Sequence, residues 1–240
     1  MQYPVLIPKK LHFPFTYSSG KISNLKIGDI VIVPFGKSEE VGVIWDKKQI
    51  TTKHIKIKTI KKKLNYSLSN NLVNFINQFS TYNLSPKGLT LKLCLSNKNI
   101  FLKDEILESK KINNQFLKFE LNNEQINAVE HLNKFKDRFG VNVLQGVTGS
   151  GKTIVYFEKI KKILNEKNQV LILLPEIYLT RQIEDRFYSY FGFKPDVWHS
   201  KITPKNRRKI WQGVSKNKIR VVLGARSSLF LPFQKLKLIV

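Results

Sequence analysis

The run GVTGSGKT at residues 146–153 constrains this chain more than any other stretch of it. Its spacing covers Gly146, Val147, Thr148, Gly149, Ser150, Gly151, Lys152 and Thr153, and it suits the turn between a buried strand and a helix start. Glycines there let backbone N–H groups curl around an anion, and the helix N-terminus adds the positive end of its dipole. The flanks agree. VNVLQG reads as a buried strand leading into the loop, and helical periodicity follows it to about Lys167. Such a loop holds phosphate: Lys152 bridges β- and γ-oxygens, and the Thr153 hydroxyl ligates Mg²⁺. ATP with Mg²⁺ is the ligand class implied.

Around the loop the pattern alternates. LNNEQINAVEHL predicts a helix before it. After it come the strand QVLILLP, a helix to about Phe191, the short strand PDVWHS, a further helix, the strand IRVVLGA and a last buried strand, LKLIV. Apolar strands alternating with helices imply a parallel sheet covered on both faces, an α/β fold. Hydrolysis would also need an acidic residue at the end of a neighbouring strand to hold the metal. Glu176 in VLILLPEIYLT follows a strand only after a proline, so LKLIV is the better candidate strand, with its acids expected beyond Val240.

The first 98 residues read differently. GDIVIVPFG and VGVIWD are short β-branched runs cut by Gly and Pro, and HIKIKTI alternates apolar residues with lysine, which predicts a small barrel or curled sheet. LSNNLVNFINQFSTY then predicts a helix with Leu72, Phe75, Ile76 and Phe79 on one core-facing side. Residues 99–118 have mixed charge and no turn punctuation, and read as a linker with some helix.

Charge narrows the partners. The chain carries 42 Lys and Arg against 17 Asp and Glu, a formal +25, and its first hundred residues hold 16 Lys against 4 acids. A footprint of that size normally faces a polyanion such as nucleic acid, although only seven residues are arginine and lysine enrichment also follows biased codon usage. No apolar window approaches eighteen residues, so no helix is expected to span a membrane, and MQYPVLIPKK lacks the order of a secretory signal, leaving the cytoplasm as default. A single cysteine, Cys94, excludes a disulfide framework within these residues and reads as a small buried hydrophobe; the four histidines are scattered, and no zinc site is expected here.

Two further groups carry candidate contacts. Gln125 in LNNEQ, about twenty residues before the loop, has an amide able to read adenine with both edges; the other reading is that Asn122 or Asn123 caps a helix and Gln125 is surface. IYLTRQI and GARSSLFLPF gather Thr180, Arg226, Ser227 and Ser228 with aromatic residues at strand ends, where open α/β sheets bind ligands. That mixture suits a single-stranded nucleic-acid backbone, while Phe230 and Phe233 read equally as core.

Taken in order, LNNEQINAV, LQGVTGSGKT, LLPEIYLTRQIEDRF, WHS and VVLGARSSLFLPF resemble the first helicase lobe of the PriA family of replication-restart helicases. LKIGDIVIVPFGKSEEVGVIWD and YNLSPKG resemble the same family's DNA 3′-end-binding domain. The resemblance implies a β-rich 3′-end-binding domain at 1–98, a linker at 99–118 too short for the family's winged helix, and an incomplete P-loop, RecA-like lobe at 119–240 that stops before the DEEH box. It implies an ATP-dependent superfamily 2 helicase moving 3′ to 5′ on stalled forks and D-loops. The implied partners are DNA 3′ ends, primosome proteins and single-strand-binding protein, and zinc is implied only in a later C-terminal part. Gln125 would contact adenine. Phe15, Thr16, Gly36 and Lys56 would line the pocket for the terminal nucleotide, Thr16 standing where the family commonly has aspartate. The chain itself is expected to bind DNA, to bind ATP weakly at most, and neither to hydrolyse nor to unwind. The alternative is a standalone fork-binding module with a vestigial ATPase lobe.

Overall fold

The computed structural model describes residues 1–46, 57–95, 98–101, 103–105, 120–134, 139–175 and 181–240. They form two compact units, and the division does not follow chain order. One unit comprises 1–107, 202–216 and 229–234; the other comprises 108–201, 217–228 and 235–240.

The first unit opens with β1 (Gln2–Leu6), β2 (Phe15–Ser18), β3 (Asp29–Phe35), β4 (Ser38–Ile44) and β5 (Lys62–Ser67), an antiparallel sheet in the order β2-β1-β4-β3-β5. Residues 58–61 curl it. The Ser18 N–H donates to the Lys58 carbonyl at 2.9 Å beside β2, while the Lys61 N–H donates to the Ile32 carbonyl at 2.9 Å beside β3. That segment thereby links the edge strand β2 to β3, the neighbour of the other edge strand β5, giving the barrel-like form that the short punctuated strands predict. Val5, Ile7, Val31, Val33 and Ile44, all without measurable exposure, fill its interior. In HIKIKTI, residues 54–56 lie outside the described residues, and Thr59 makes an isolated bridge to Ser18.

Two helices follow. α1 (Asn70–Tyr82) starts at Ser69, whose hydroxyl accepts the Leu72 N–H, and buries Leu72, Val73 and Ile76. α2 (Lys87–Leu95) contains the glycine of YNLSPKG. The Gly88 N–H donates to the Leu11 carbonyl at 2.9 Å, and a Cβ at Gly88 would overlap the Ile7 and Lys9 carbonyl oxygens. Only glycine lets this helix lie against that backbone.

The same unit takes in a helix from far along the chain, which chain-order reading did not foresee. That helix, Pro204–Ser215, is begun by Thr203, whose hydroxyl accepts the Asn206 N–H. Its Trp211 is fully buried, the indole N–H donating to the Cys94 carbonyl at 2.7 Å and the ring standing edge-on to Tyr66 and Phe101. Gln212, also without exposure, donates to the Ile100 and Lys103 carbonyls at 2.7 and 2.9 Å and accepts the Glu105 N–H at 2.8 Å. Phe230 is buried with Phe75 and Phe79 at centroid distances of 5.3 and 5.1 Å, and Phe233 is 5 % exposed. Both phenylalanines are core, which closes the stacking reading for them.

The second unit contains α3 (Asn123–Asn133), α4 (Lys152–Asn165), β6 (Gln169–Leu173), α5 (Arg181–Phe191), β7 (Asp196–Trp198), β8 (Val221–Gly224) and β9 (Leu236–Ile239). In chain order Pro204–Ser215 is α6, between β7 and β8. The four strands are parallel, in the order β7-β8-β6-β9. α4 and α5 bring Phe157, Ile160, Phe187, Tyr190 and Phe191 onto Val170, Ile172, Val221 and Leu223 of the sheet. The Phe187 and Phe191 rings stack with centroids 4.2 Å apart.

Two expectations need correction here. VNVLQG is not a buried strand: residues 141–146 join no ladder, and Val141 and Val143 are 80 and 88 % exposed. β9 is a strand, but alternate residues face solvent, Ile239 at 48 %. An apolar run registers what favours burial, whereas a strand also needs a partner edge in register, which local composition does not specify.

Candidate nucleotide and nucleic-acid sites

The phosphate loop has the backbone its glycines permit. Gly149 and Gly151 sit at φ +86° and +79°, the left-handed region that side chains disfavour, and Gly151 opens α4. Lys152 is the first residue of that helix, and its ammonium donates to the Gly146 and Val147 carbonyls at 2.6 and 2.8 Å. The lysine thus bends back across the loop, where an anion's oxygens could replace those carbonyls. Thr153 follows on the first turn and lines the same cleft. Ser150 closes the turn, its N–H donating to the Val147 carbonyl at 3.2 Å. The cleft measures about 770 Å³ and runs from Thr148, Gly149, Ser150, Gly151, Lys152 and Thr153 to the facing side of α5.

Of the two readings of Gln125, the helix cap is the one the structure displays, with Asn122 at the cap. Asn122 and Gln125 form a reciprocal capping box, the Gln125 N–H donating to Asn122 Oδ1 at 2.9 Å and Gln125 Oε1 accepting the Asn122 N–H at 3.1 Å. The remaining edge points at the loop, Gln125 Nε2 donating to the Ser150 carbonyl at 3.2 Å. A Cβ at Gly151 would collide with that amide, so the glycine also admits the glutamine.

The β8 end is a set of local braces. The Ala225 N–H donates to the Trp198 carbonyl at 3.1 Å, and the Trp198 indole donates to Ser227 Oγ at 3.2 Å, tying WHS to GARSS. Arg226 and Ser227 are exposed. Ser228 is a correction: it is fully buried, its hydroxyl donating to the Ala225 carbonyl at 2.6 Å beneath Gly224, so it shapes the turn from inside instead of offering a surface contact. Thr180 lies outside the described residues, as does Lys56.

On the first unit, Phe15 and Phe35 stand edge to face at 5.7 Å, with Phe13, 61 % exposed, tilted against Phe15 at 5.6 Å. Thr16 is half-buried in β2, opposite Pro4. Tyr17 braces the surface from below, its hydroxyl donating to the Pro34 carbonyl at 3.1 Å; burial raises its pKa. Gly36 turns β3 into β4 at φ +61° with open space where a Cβ would stand. Lysines border the rings. Lys58 donates to the Gly36 carbonyl at 3.5 Å, and the Lys9 ammonium lies 5.0 Å above the Phe35 ring and 3.0 Å from Glu40. Lys9, Phe13 and Lys58 were not singled out in the sequence, because the strand pairing that gathers them has no local signature.

A phosphate-binding loop in a parallel α/β unit, together with an aromatic and lysine-lined surface on a curled antiparallel sheet, defines a P-loop chain with a nucleic-acid-binding module. Residues 118–239 match the family model for the type III restriction enzyme res subunit, which is helicase-like, and residues 4–96 match that for the PriA 3′ DNA-binding domain. Over 238 residues, 98 % of the chain, it is 40 % identical to replication restart protein PriA of Rickettsia felis, covering 36 % of that relative. It is 42 % identical to PriA of Haemophilus influenzae over 120 residues (50 % of this chain, 16 % of the relative) and 39 % identical to PriA of Bacillus subtilis over 104 residues (43 and 13 %). The chain belongs to the PriA replication-restart family. It spans about a third of the length of the Rickettsia relative. Among the described residues no helix is long and apolar enough to cross a membrane.

Proposed function

We propose that this chain supplies the 3′-end-binding and ATP-binding parts of a 3′-to-5′ DNA helicase that restarts replication at stalled forks and D-loops in the cytoplasm. The observation that carries the reading is the loop geometry: positive-φ glycines, a lysine folded onto its own loop carbonyls, and a helix N-terminus opening on one cleft. Backbone N–H groups of residues 147–152 would hold the nucleotide phosphates, Lys152 would exchange two carbonyls for phosphate oxygens, and Thr153 would hold Mg²⁺. Bound Mg²⁺ would neutralise charge on the transferred phosphoryl group. Gln125, already oriented by the capping box, would turn its amide from Ser150 to the adenine edge.

At the first unit, Phe13, Phe15 and Phe35 offer faces for a terminal base, and Lys9, Lys58 and the exposed Lys37 offer charge to its phosphates. Thr16 would present a hydroxyl where the family commonly has a carboxylate. Arg226 and Ser227, exposed after β8, would follow the single strand. Primosome proteins and single-strand-binding protein are the partners that family membership suggests.

Fluorescence anisotropy with duplexes bearing a recessed 3′ end tests the DNA half. Phe15→Ala should weaken binding to 3′-hydroxyl ends by about tenfold while sparing a duplex closed by hairpin loops at both ends. Equal loss on both substrates would sink the end-binding assignment. For the nucleotide half, Lys152→Ala should abolish binding of a fluorescent ADP, and retained binding would remove the P-loop role.

A further inference from the structure

We infer that Arg186 of α5 is a second phosphate-binding cation of the nucleotide cleft; the inference rests on the nucleotide reading above. α5 is sharply two-sided. Phe187, Tyr190 and Phe191 are buried in the sheet core, whereas Gln182, Arg186 and Ser189, at spacings of four and three residues, line the cleft facing the phosphate loop. The helix therefore holds Arg186 in a fixed direction on a packed scaffold.

The electrostatics of the cleft are one-sided. Among the described residues, its lining includes Lys152 and Arg186 and no carboxylate. Asp185, the acid next to Arg186, pairs with Lys194 at 3.5 Å, and Glu158, below Tyr190, takes hydrogen bonds from the Tyr190 hydroxyl and from Lys161. Arg186 is exposed and, among the described residues, has neither an ion pair nor a hydrogen bond. Two cations facing one concave surface, with no acid among its described lining residues, fit a polyanionic ligand, and the guanidinium fork matches phosphate oxygens in a bidentate way.

The cleft also shows which end of a nucleotide Arg186 would meet. Its lining takes in loop residues 148–153 but not Gln125, the adenine candidate. The cleft wall is thus the phosphate end, and Arg186 reads phosphate, not base.

The experiment uses the 240-residue chain, mant-ADP as fluorescent ligand and inorganic tripolyphosphate as competitor, with far-UV circular dichroism to verify folding. Arg186→Ala should weaken mant-ADP about tenfold and raise the tripolyphosphate needed for half-competition by a similar factor. Arg186→Lys should recover part of the loss, because it keeps charge but not the fork. An Arg186→Ala chain that matches wild type overturns the inference. So does one that loses mant-ADP affinity while tripolyphosphate competes as before, since the arginine would then serve the base or ribose. If wild type and Lys152→Ala bind mant-ADP equally, the nucleotide reading itself falls and this inference with it.

Discussion

Replacing Gln212 with leucine tests whether α6 is an integral part of the first unit. The side chain is fully buried and its amide makes three hydrogen bonds, to the Ile100 and Lys103 carbonyls and from the Glu105 N–H, at 2.7 to 2.9 Å. Leucine fills nearly the same volume, so little cavity forms and the cost comes from stranded polar groups. One of the three bonds is fully buried and two are partly so. At about 1–3 kcal/mol for a fully buried unsatisfied group, and about half that for partly buried ones, the sum is about 4 kcal/mol. With a urea slope of about 2 kcal/mol/M for a unit of this size, the midpoint should fall by about 2 M. Tryptophan fluorescence follows it, since Trp45 and Trp211 both belong to this unit. A shift below about 0.3 M would refute the reasoning and mean that α6 is only loosely held there. Lys216→Ala is the internal contrast: its partner Asp104 is 68 % exposed, so the loss should stay below about 0.5 kcal/mol.

Three other outcomes follow from the packing. Gly88→Ala should lower thermal stability by about 2 kcal/mol, measured by calorimetry, because the new methyl meets backbone carbonyls of Ile7 and Lys9 that cannot rotate away; an unchanged Tm would contradict the close approach. Cys94 should resist an aromatic disulfide reagent in the native chain and react in urea, since it is 1 % exposed and burial raises its thiol pKa; prompt native labelling would contradict the buried position. Stability should decline above pH 10. Burial, reinforced by hydrogen bonds to Asp104 and Glu158, raises the pKa values of Tyr66 and Tyr190. The unfolded chain therefore releases those protons first, and the stabilisation present below about pH 10 is lost as pH climbs. Urea midpoints at pH 8 and 10.5 should differ less in Tyr66→Phe and Tyr190→Phe than in wild type.

Much of this molecule was legible residue by residue. β3, β4, α1, α4, α5, β6 and β8 fall where apolar periodicity and turn residues put them, because a helix or strand face is written in local spacing. GVTGSGKT was legible for a similar reason: its glycines answer to backbone angles that depend on immediate neighbours. Gln125 shows the intermediate case. Its cap was local, but the amide's reach to Ser150 crosses 25 residues of chain.

The sequence by itself determined the phosphate loop, the α/β alternation, the β-rich beginning and the excess of positive charge, since each rests on composition or on spacing within one or two turns of chain. Only the tertiary structure decided that Trp211 and Gln212 belong to the unit built from residues 1–107, that Ser228 faces inward, that Lys58 reaches Gly36, and that Val141 and Val143 stand exposed. Those outcomes depend on which surfaces meet across tens of residues, where burial and hydrogen-bond satisfaction choose among partners that local sequence leaves equally available.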